Sequence, residues 1–242
     1  MMKKKDVIYY IVAEFKQLFK DELVSIILHD SFLLNHAKTR NTQQTLGSLL
    51  VVFKDDFDFL KYSTSMQDNK KLAKQIKNQH PLVFTKRELL NSCDIFPIEF
   101  YEIQETAQTL FGQDFISLVS IEDHNLRLQI ESNLRRNVIL LRQEYFYRNI
   151  DLGLLLHQSF DNFLNSAKNI LRLRGLDVER ILPRDIIVQL TSLYYLDLDI
   201  FFTIIRYVEK NKKLSHQELD ILFHKYLSQL SKFVHEVDTL VP

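Results

Sequence analysis

Glycine is scarce in this chain. Only four glycines occur among 242 residues, whereas usage of roughly 7% would give about 17. Loops that wrap a phosphate group need glycine for tight turns and for close approach of the backbone. Neither GxGxxG nor GxxxxGK followed by Ser or Thr can be written from the sequence. Rossmann-type dinucleotide binding and P-loop functions are therefore excluded.

Cysteine and an excess of either charge are also lacking. The lone Cys93 rules out an internal disulfide, fits a reducing compartment, and is expected to be a small buried hydrophobic side chain. Lysine plus arginine number 31, and aspartate plus glutamate also number 31. This balance argues against a general nucleic-acid-binding role, which usually needs a basic surface.

Long apolar runs are missing as well. The N-terminal lysine cluster precedes an apolar run that Glu14 and Lys16 interrupt, and no small-residue cleavage site follows. An amphipathic helix explains this segment better than a signal peptide does. The most apolar later stretch, 190–208, contains two aspartates and an arginine, so it is unsuited to a bilayer. We expect a cytoplasmic protein without membrane contact.

Short apolar runs predict the strands of the first half. LLVVF at 49–53 is continuous and β-branched, which is typical of a central strand. Further strands are expected over 23–28, over 82–84 and, after Pro97, over 98–103, where IEFYEI has alternating character. A helix is expected around 7–15. An exposed helix with an interruption near 63–65 is expected over 56–78, and a capping box from Thr85 to Glu88 opens a short one.

After Gly112 the pattern becomes helical. An apolar stripe over 126–145 predicts one long helix, and a second is expected over 152–174 with Gly175 as its C-terminal cap. Pro183, then Asp197 or Asp199, then the capping box SHQE at 215–218 mark three further helix starts. The predicted fold is an α+β domain with a mixed sheet over 1–120, followed by an all-α helical bundle over 121–242.

Two segments carry a recognisable motif pattern: IILHDS at 26–31 and TLGSLLVV at 45–52. They resemble the nucleotidyltransferase superfamily, whose fold is polymerase-β-like. That superfamily has two hydrophobic residues, Tyr, Gly and Ser at the first site, and Ser-Asp-x-Asp or Ser-Asp-x-Asn at the second. The stretches 81–103, 109–115 and 124–146 resemble a bacterial group in which a nucleotidyltransferase-like domain precedes a helical domain.

The departures from this pattern bear on the chemistry. By the resemblance, Asp30 replaces the glycine that approaches the triphosphate, and Ser31 alone survives from the Gly-Ser pair. Leu46 replaces the first metal-binding aspartate, and Ser48 replaces the second carboxylate. Two-metal phosphoryl transfer needs clustered carboxylates to hold Mg²⁺ against the triphosphate. We therefore expect no metal cofactor and no ordinary nucleotidyl transfer.

Other carboxylates offer alternatives. Asp56-Phe57-Asp58 lies beyond the far end of LLVVF, where aspartates commonly begin helices, so helix capping and solvated charge are the favoured interpretation. Glu99 lies near where such enzymes place a third carboxylate, and a salt-bridged or rim position is favoured for it. An active enzyme would need relocated ligands at Asp30, Glu99 or Asp56, with Mg²⁺ as cofactor.

Histidine and arginine give weaker signals. The eight histidines show no HExxH or metal-ligand spacing, and His29, beside the motif, is the one candidate for binding. Four arginines give the long helix a basic face, which we expect to be solvated and paired with Glu131 and Glu144. Contact with phosphate or a partner is the alternative. The four are Arg127, Arg135, Arg136 and Arg142.

The sequence as a whole predicts a pseudo-nucleotidyltransferase that recognises a nucleotide or a protein partner in the cleft between its domains. The candidate cleft residues are His29, Asp30, Ser31, Ser48 and Glu99. One alternative is an active nucleotidyltransferase with relocated metal ligands, and another is a structural partner in an assembly. The many aromatic residues of the second half are expected to form a core, with a homo-oligomer interface as the alternative.

Overall fold

The computed structural model describes residues 4–29, 48–76, 81–147, 151–209 and 213–239. Contacts divide the chain into two units, Met1–Ile121 and Glu122–Pro242. The first unit contains a sheet and its covering helices, and the second is helical. None of the described helices has the length and apolar character that crossing a membrane requires.

A mixed four-stranded sheet is the framework of the first unit. The strands are β1 Leu23–His29, β2 Ser48–Phe53, β3 Leu82–Thr85 and β4 Gln108–Gly112. Their spatial order is β3-β2-β1-β4, with β1 antiparallel to both neighbours and β2 parallel to β3. Every residue of β2 is buried, so the prediction of a central strand over 49–53 is confirmed.

Helices cover both faces of this sheet. The helices are α1 Lys4–Phe19, α2 Phe59–Asp68, α3 Lys70–Ile76, α4 Lys86–Asn91 and α5 Pro97–Thr106. Side chains alternate along β2, so Leu49 and Val51 pack with α1 and α3 on one face, whereas Leu50 and Val52 pack with α4 and α5 on the other. The two faces of the sheet therefore contribute to two separate apolar layers.

The predicted strand over 98–103 is wrong, because these residues lie in α5. Pro97 occupies the first turn, where its fixed φ suits a helix and its missing N–H removes no hydrogen bond. Phe100 and Ile103, three residues apart, then meet the same apolar layer under the sheet. The fourth strand of the sheet is instead β4. The helix predicted over 56–78 is interrupted at Asn69, between α2 and α3, rather than at 63–65.

The predicted caps agree with the structure. Thr85 Oγ1 accepts from the Glu88 N–H at 3.3 Å, and the Glu88 carboxylate accepts from the Thr85 N–H at 2.8 Å. Ser215 and Glu218 make the same reciprocal pair at 3.3 and 2.8 Å. Both capping boxes are thus confirmed, since each satisfies N–H groups that have no partner within the helix.

The second unit packs its five helices around an aromatic centre. Phe163 is fully buried, and its ring lies 5.0 Å from Phe201 and 5.6 Å from Phe233, centroid to centroid. The predicted aromatic core is confirmed for these residues, whereas Tyr195 is 95% exposed. The helices are α6 Asp123–Tyr147, α7 Leu152–Leu173, α8 Pro183–Tyr194, α9 Leu198–Val208 and α10 His216–Asp238.

Candidate functional site

The motif region falls at the paired ends of β1 and β2. His29 is the last residue of β1, Ser48 is the first of β2, and the two are register partners in the antiparallel ladder. Asp30, Ser31 and Leu46 lie outside the described residues. The structure therefore brings two of the candidate site residues side by side.

His29 and Ser48 are both 1% exposed. Their side-chain direction follows from strand alternation, because Ile27 of β1 and Leu50 of β2 pack in the layer under α5. His29 and Ser48, two residues from these positions, point to the same face. Ser48 thus places a neutral hydroxyl, which solvent scarcely reaches, at the start of β2.

Glu99 is the acidic residue associated with this face of the sheet. It lies in the first turn of α5 and is 9% exposed, so it is buried rather than at a rim. The next residue, Phe100, packs in the layer that contains Ile27 and Leu50. The structure therefore places Glu99 on the helix that covers the face to which His29 and Ser48 point.

These residues do not fit a pair of magnesium ions. Mg²⁺ prefers octahedral oxygen ligands, and a two-metal centre needs several carboxylates within a few ångströms. The described strand ends supply one imidazole and one hydroxyl, and Glu99 is the only buried carboxylate of α5. Across the described part of the chain, no group of three or more His, Cys, Asp or Glu residues is close enough to hold a metal ion.

The D-x-D sequence at 56–58 lies at the opposite end of β2. At about 3.3 Å per residue, the strand separates Ser48 from Phe53 by roughly 17 Å. Asp58 accepts hydrogen bonds from the backbone N–H groups of Leu60 and Lys61 and so caps α2. Capping is confirmed for Asp58, and Asp56 is exposed to solvent beyond the strand.

Ion pairs occupy part of the basic face of α6. The Arg127 and Arg135 guanidinium groups each lie 3.0 Å from the Glu131 carboxylate, and Arg135 also contacts Asp238. The hydrogen bond from Arg135 holds the pKa of Glu131 below its usual value. The predicted pairing with Glu131 is confirmed for Arg127 and Arg135.

Three buried residues of the second unit form a hydrogen-bonded cluster that no pattern in the sequence predicts. Asn137 Nδ2 donates to the Ser159 carbonyl at 2.9 Å, and Ser159 Oγ lies 3.1 Å from the Tyr226 hydroxyl. Burial raises the pKa of Tyr226, so its hydroxyl stays neutral. These hydrogen bonds join α6, α7 and α10, which indicates a structural role.

Comparison with known proteins finds a solved structure that is similar to this chain. No protein-family profile matches the chain, and no curated protein matches it in sequence. A crystal structure of spectinomycin adenyltransferase from Enterococcus faecialis, solved with ATP and spectinomycin, superimposes with a TM-score of 0.54. The match covers 95% of this chain and 100% of that chain, at 10% sequence identity.

This chain has a nucleotidyltransferase-like fold. The predicted fold class, a mixed-sheet α+β region followed by a helical region, is confirmed. At 10% identity the likeness concerns the fold alone, because unrelated functions recur on one fold.

Proposed function

We propose that this protein uses its nucleotidyltransferase-like fold to bind a nucleoside triphosphate without magnesium-dependent nucleotidyl transfer. One observation carries the proposal: Ser48, at the position of the motif's second carboxylate, is a buried hydroxyl opposite His29. Serine brings no negative charge, so it cannot help to hold Mg²⁺ against a triphosphate. The sequence adds leucine at position 46, where the motif has its first carboxylate.

ATP is the nucleotide to examine first. The adenyltransferase with a similar fold was solved with ATP, which supports adenine nucleotides as the initial probe. Without Mg²⁺, the negative charge of the phosphates must be balanced by hydrogen-bond donors of the protein alone. We therefore propose a recognition role, in which the bound nucleotide is sensed or held intact.

A thermal-shift panel of the four nucleoside triphosphates, each with Mg²⁺ or with EDTA, tests this proposal. A ligand at 100 times its dissociation constant stabilises a fold by about 2.7 kcal/mol, which raises the midpoint by a few degrees. We expect ATP to raise the midpoint equally in both conditions. A midpoint unchanged by every nucleotide would refute nucleotide binding and would favour a structural partner in an assembly.

The Glu99→Gln variant separates this proposal from an active enzyme with relocated ligands. If Glu99 held a metal, the substitution would abolish a stabilisation that required Mg²⁺, because an amide is a much weaker magnesium ligand than a carboxylate. We expect the variant to respond to ATP as the wild type does, with and without Mg²⁺. An Mg²⁺-dependent shift that disappears in the variant would establish the enzyme instead.

A further inference from the structure

A cavity of about 720 Å³ lies within the helical unit. It is formed where the last turns of α6, the first turns of α7 and the first turns of α10 meet. Its volume falls in the range of about 300–1,000 Å³ that is typical of small-molecule sites. The side chains that matter for its chemistry are Glu144, Tyr145, Leu152, Leu155, Asp220 and Ile221.

Tyr145 is a fixed wall of this cavity. Its ring stacks on Phe223 with centroids 4.6 Å apart and planes 13° apart. Its hydroxyl donates to Asp220 Oδ1 at 2.8 Å and lies 3.0 Å from His224 Nε2. Because both the ring and the hydroxyl are held, the aromatic surface is ordered before any ligand arrives, which reduces the entropy lost on binding.

Two carboxylates, Glu144 and Asp220, line the cavity together with the His216 imidazole, and no lysine or arginine is among the described lining residues. His224 Nε2 lies 3.8 Å from Asp220 Oδ2. Within the part of the chain that the structure describes, the Glu144 side chain makes no hydrogen bond and no ion pair, although the sequence predicts an arginine partner for it. Arg142, two residues away, donates instead to Ser231 Oγ at 3.3 Å. The Glu144 carboxylate is therefore available to a positively charged ligand.

Apolar side chains form the rest of the wall. Leu152 and Leu155 of α7 and Ile221 of α10 line the cavity beside the Tyr145 ring. Ile221 is 56% exposed, so a ligand that covered it would remove apolar surface from water. Carboxylates together with aliphatic and aromatic surface suit a compound with one cationic group and a hydrocarbon body.

We propose that this cavity binds an organic cation, either a protonated amine or a quaternary ammonium group attached to an apolar body. The ammonium group would lie between Glu144 and Asp220, and the body would contact Leu152, Leu155 and Ile221. A nucleotide is excluded from this place, since two carboxylates repel phosphate. The site is therefore independent of nucleotide binding by the first unit.

Three probes with the same phenylalkyl body and different charge test the proposal. They are phenethylammonium, neutral 2-phenylethanol and anionic 3-phenylpropanoate, titrated into the full-length chain and followed by ligand-observed NMR. We expect phenethylammonium to bind at least about tenfold more tightly than the alcohol, and the carboxylate not to bind. Equal affinity for the cation and the alcohol, or no binding of the cation at millimolar concentration, would overturn the proposal.

Matched variants locate the binding. Glu144→Gln and Asp220→Asn each remove one negative charge from the cavity and should each weaken phenethylammonium binding about two- to fivefold. Glu236→Gln removes the same charge from an exposed position on α10 outside the lining and should leave the affinity unchanged. The Glu144 side chain makes no hydrogen bond to the described residues, so Glu144→Gln should fold normally. Equal affinity in the Glu144→Gln and Glu236→Gln variants would show that the cation does not bind here.

Discussion

Replacing Ser48 with aspartate, the carboxylate that the resemblance to nucleotidyltransferases would place there, is expected to lower the free energy of unfolding by about 4 kcal/mol at neutral pH. Ser48 is 1% exposed at the start of a fully buried strand, opposite His29. Burial of a carboxyl group raises its pKa, and a rise of about three units at 1.36 kcal/mol each gives this magnitude. Ser48→Asn, similar in size but neutral, is the control for volume.

The pH dependence of the Ser48→Asp variant has a definite sign. Below the unfolded-state pKa of about 3.9 the new carboxyl is protonated in both states, so the variant should match Ser48→Asn. As pH rises from there towards the raised pKa of the folded state, only the unfolded chain ionises readily, and stability falls. Urea denaturation at acidic and neutral pH measures the difference. Recovery of stability on adding Mg²⁺ would contradict our account, because it would mean that position 48 faces a metal site.

The Gly112→Ala variant is expected to lose at least about 3 kcal/mol of folding free energy. Gly112 has φ of +77°, and an added Cβ would lie 1.9 Å from the Val24 carbonyl oxygen. That oxygen belongs to the backbone of β1, so it can move only if the sheet moves. The Ser25 hydroxyl hydrogen-bonds to the carbonyls of Phe111 and Gln113, at 3.1 and 2.7 Å, and so holds β4 close to β1 on both sides of the glycine.

The Gly175→Ala variant is the matched control for Gly112→Ala. Gly175 has a similar φ of +73°, but no atom lies within 4 Å of the Cβ position. It follows the C-terminal end of α7, where its N–H donates to the Arg172 carbonyl at 2.8 Å. Its substitution should therefore cost only the left-handed strain of about 1–2 kcal/mol. Equal losses in the two variants, measured by urea denaturation, would show that the contact with Val24 is unimportant.

Local signals in the sequence predicted much of this fold. Each capping box depends on two residues three positions apart, and the strand over 49–53 shows in its unbroken apolar run. Over 98–103, six residues are too few to distinguish the two-residue alternation of a strand from the 3.6-residue repeat of a helix. The packing of Phe100 and Ile103 against the same apolar layer favours the helix. Strand β4 is short, largely exposed and at the edge of the sheet, so its sequence has only a weak apolar pattern.

The sequence nominated candidate site residues but did not predict their environment. The motif spacing singled out His29 and Ser48, and the strand register makes them neighbours. Their burial, however, depends on which face α5 covers, and that is set by contacts between residues distant in the sequence. The cavity in the helical unit was missed for a similar reason, because Glu144 and Asp220 come together only when α6 packs on α10.

Calorimetric titration of ATP into the wild-type chain, once with Mg²⁺ and once with EDTA, shows whether nucleotide binding depends on the metal. Ser48 and the other described residues beside it do not form a magnesium site, so bound ATP should not depend on the metal. Our account predicts the same dissociation constant, within about twofold or 0.4 kcal/mol, in both titrations. Binding heat that appears only with Mg²⁺ would contradict it and would identify a metal-dependent nucleotide site.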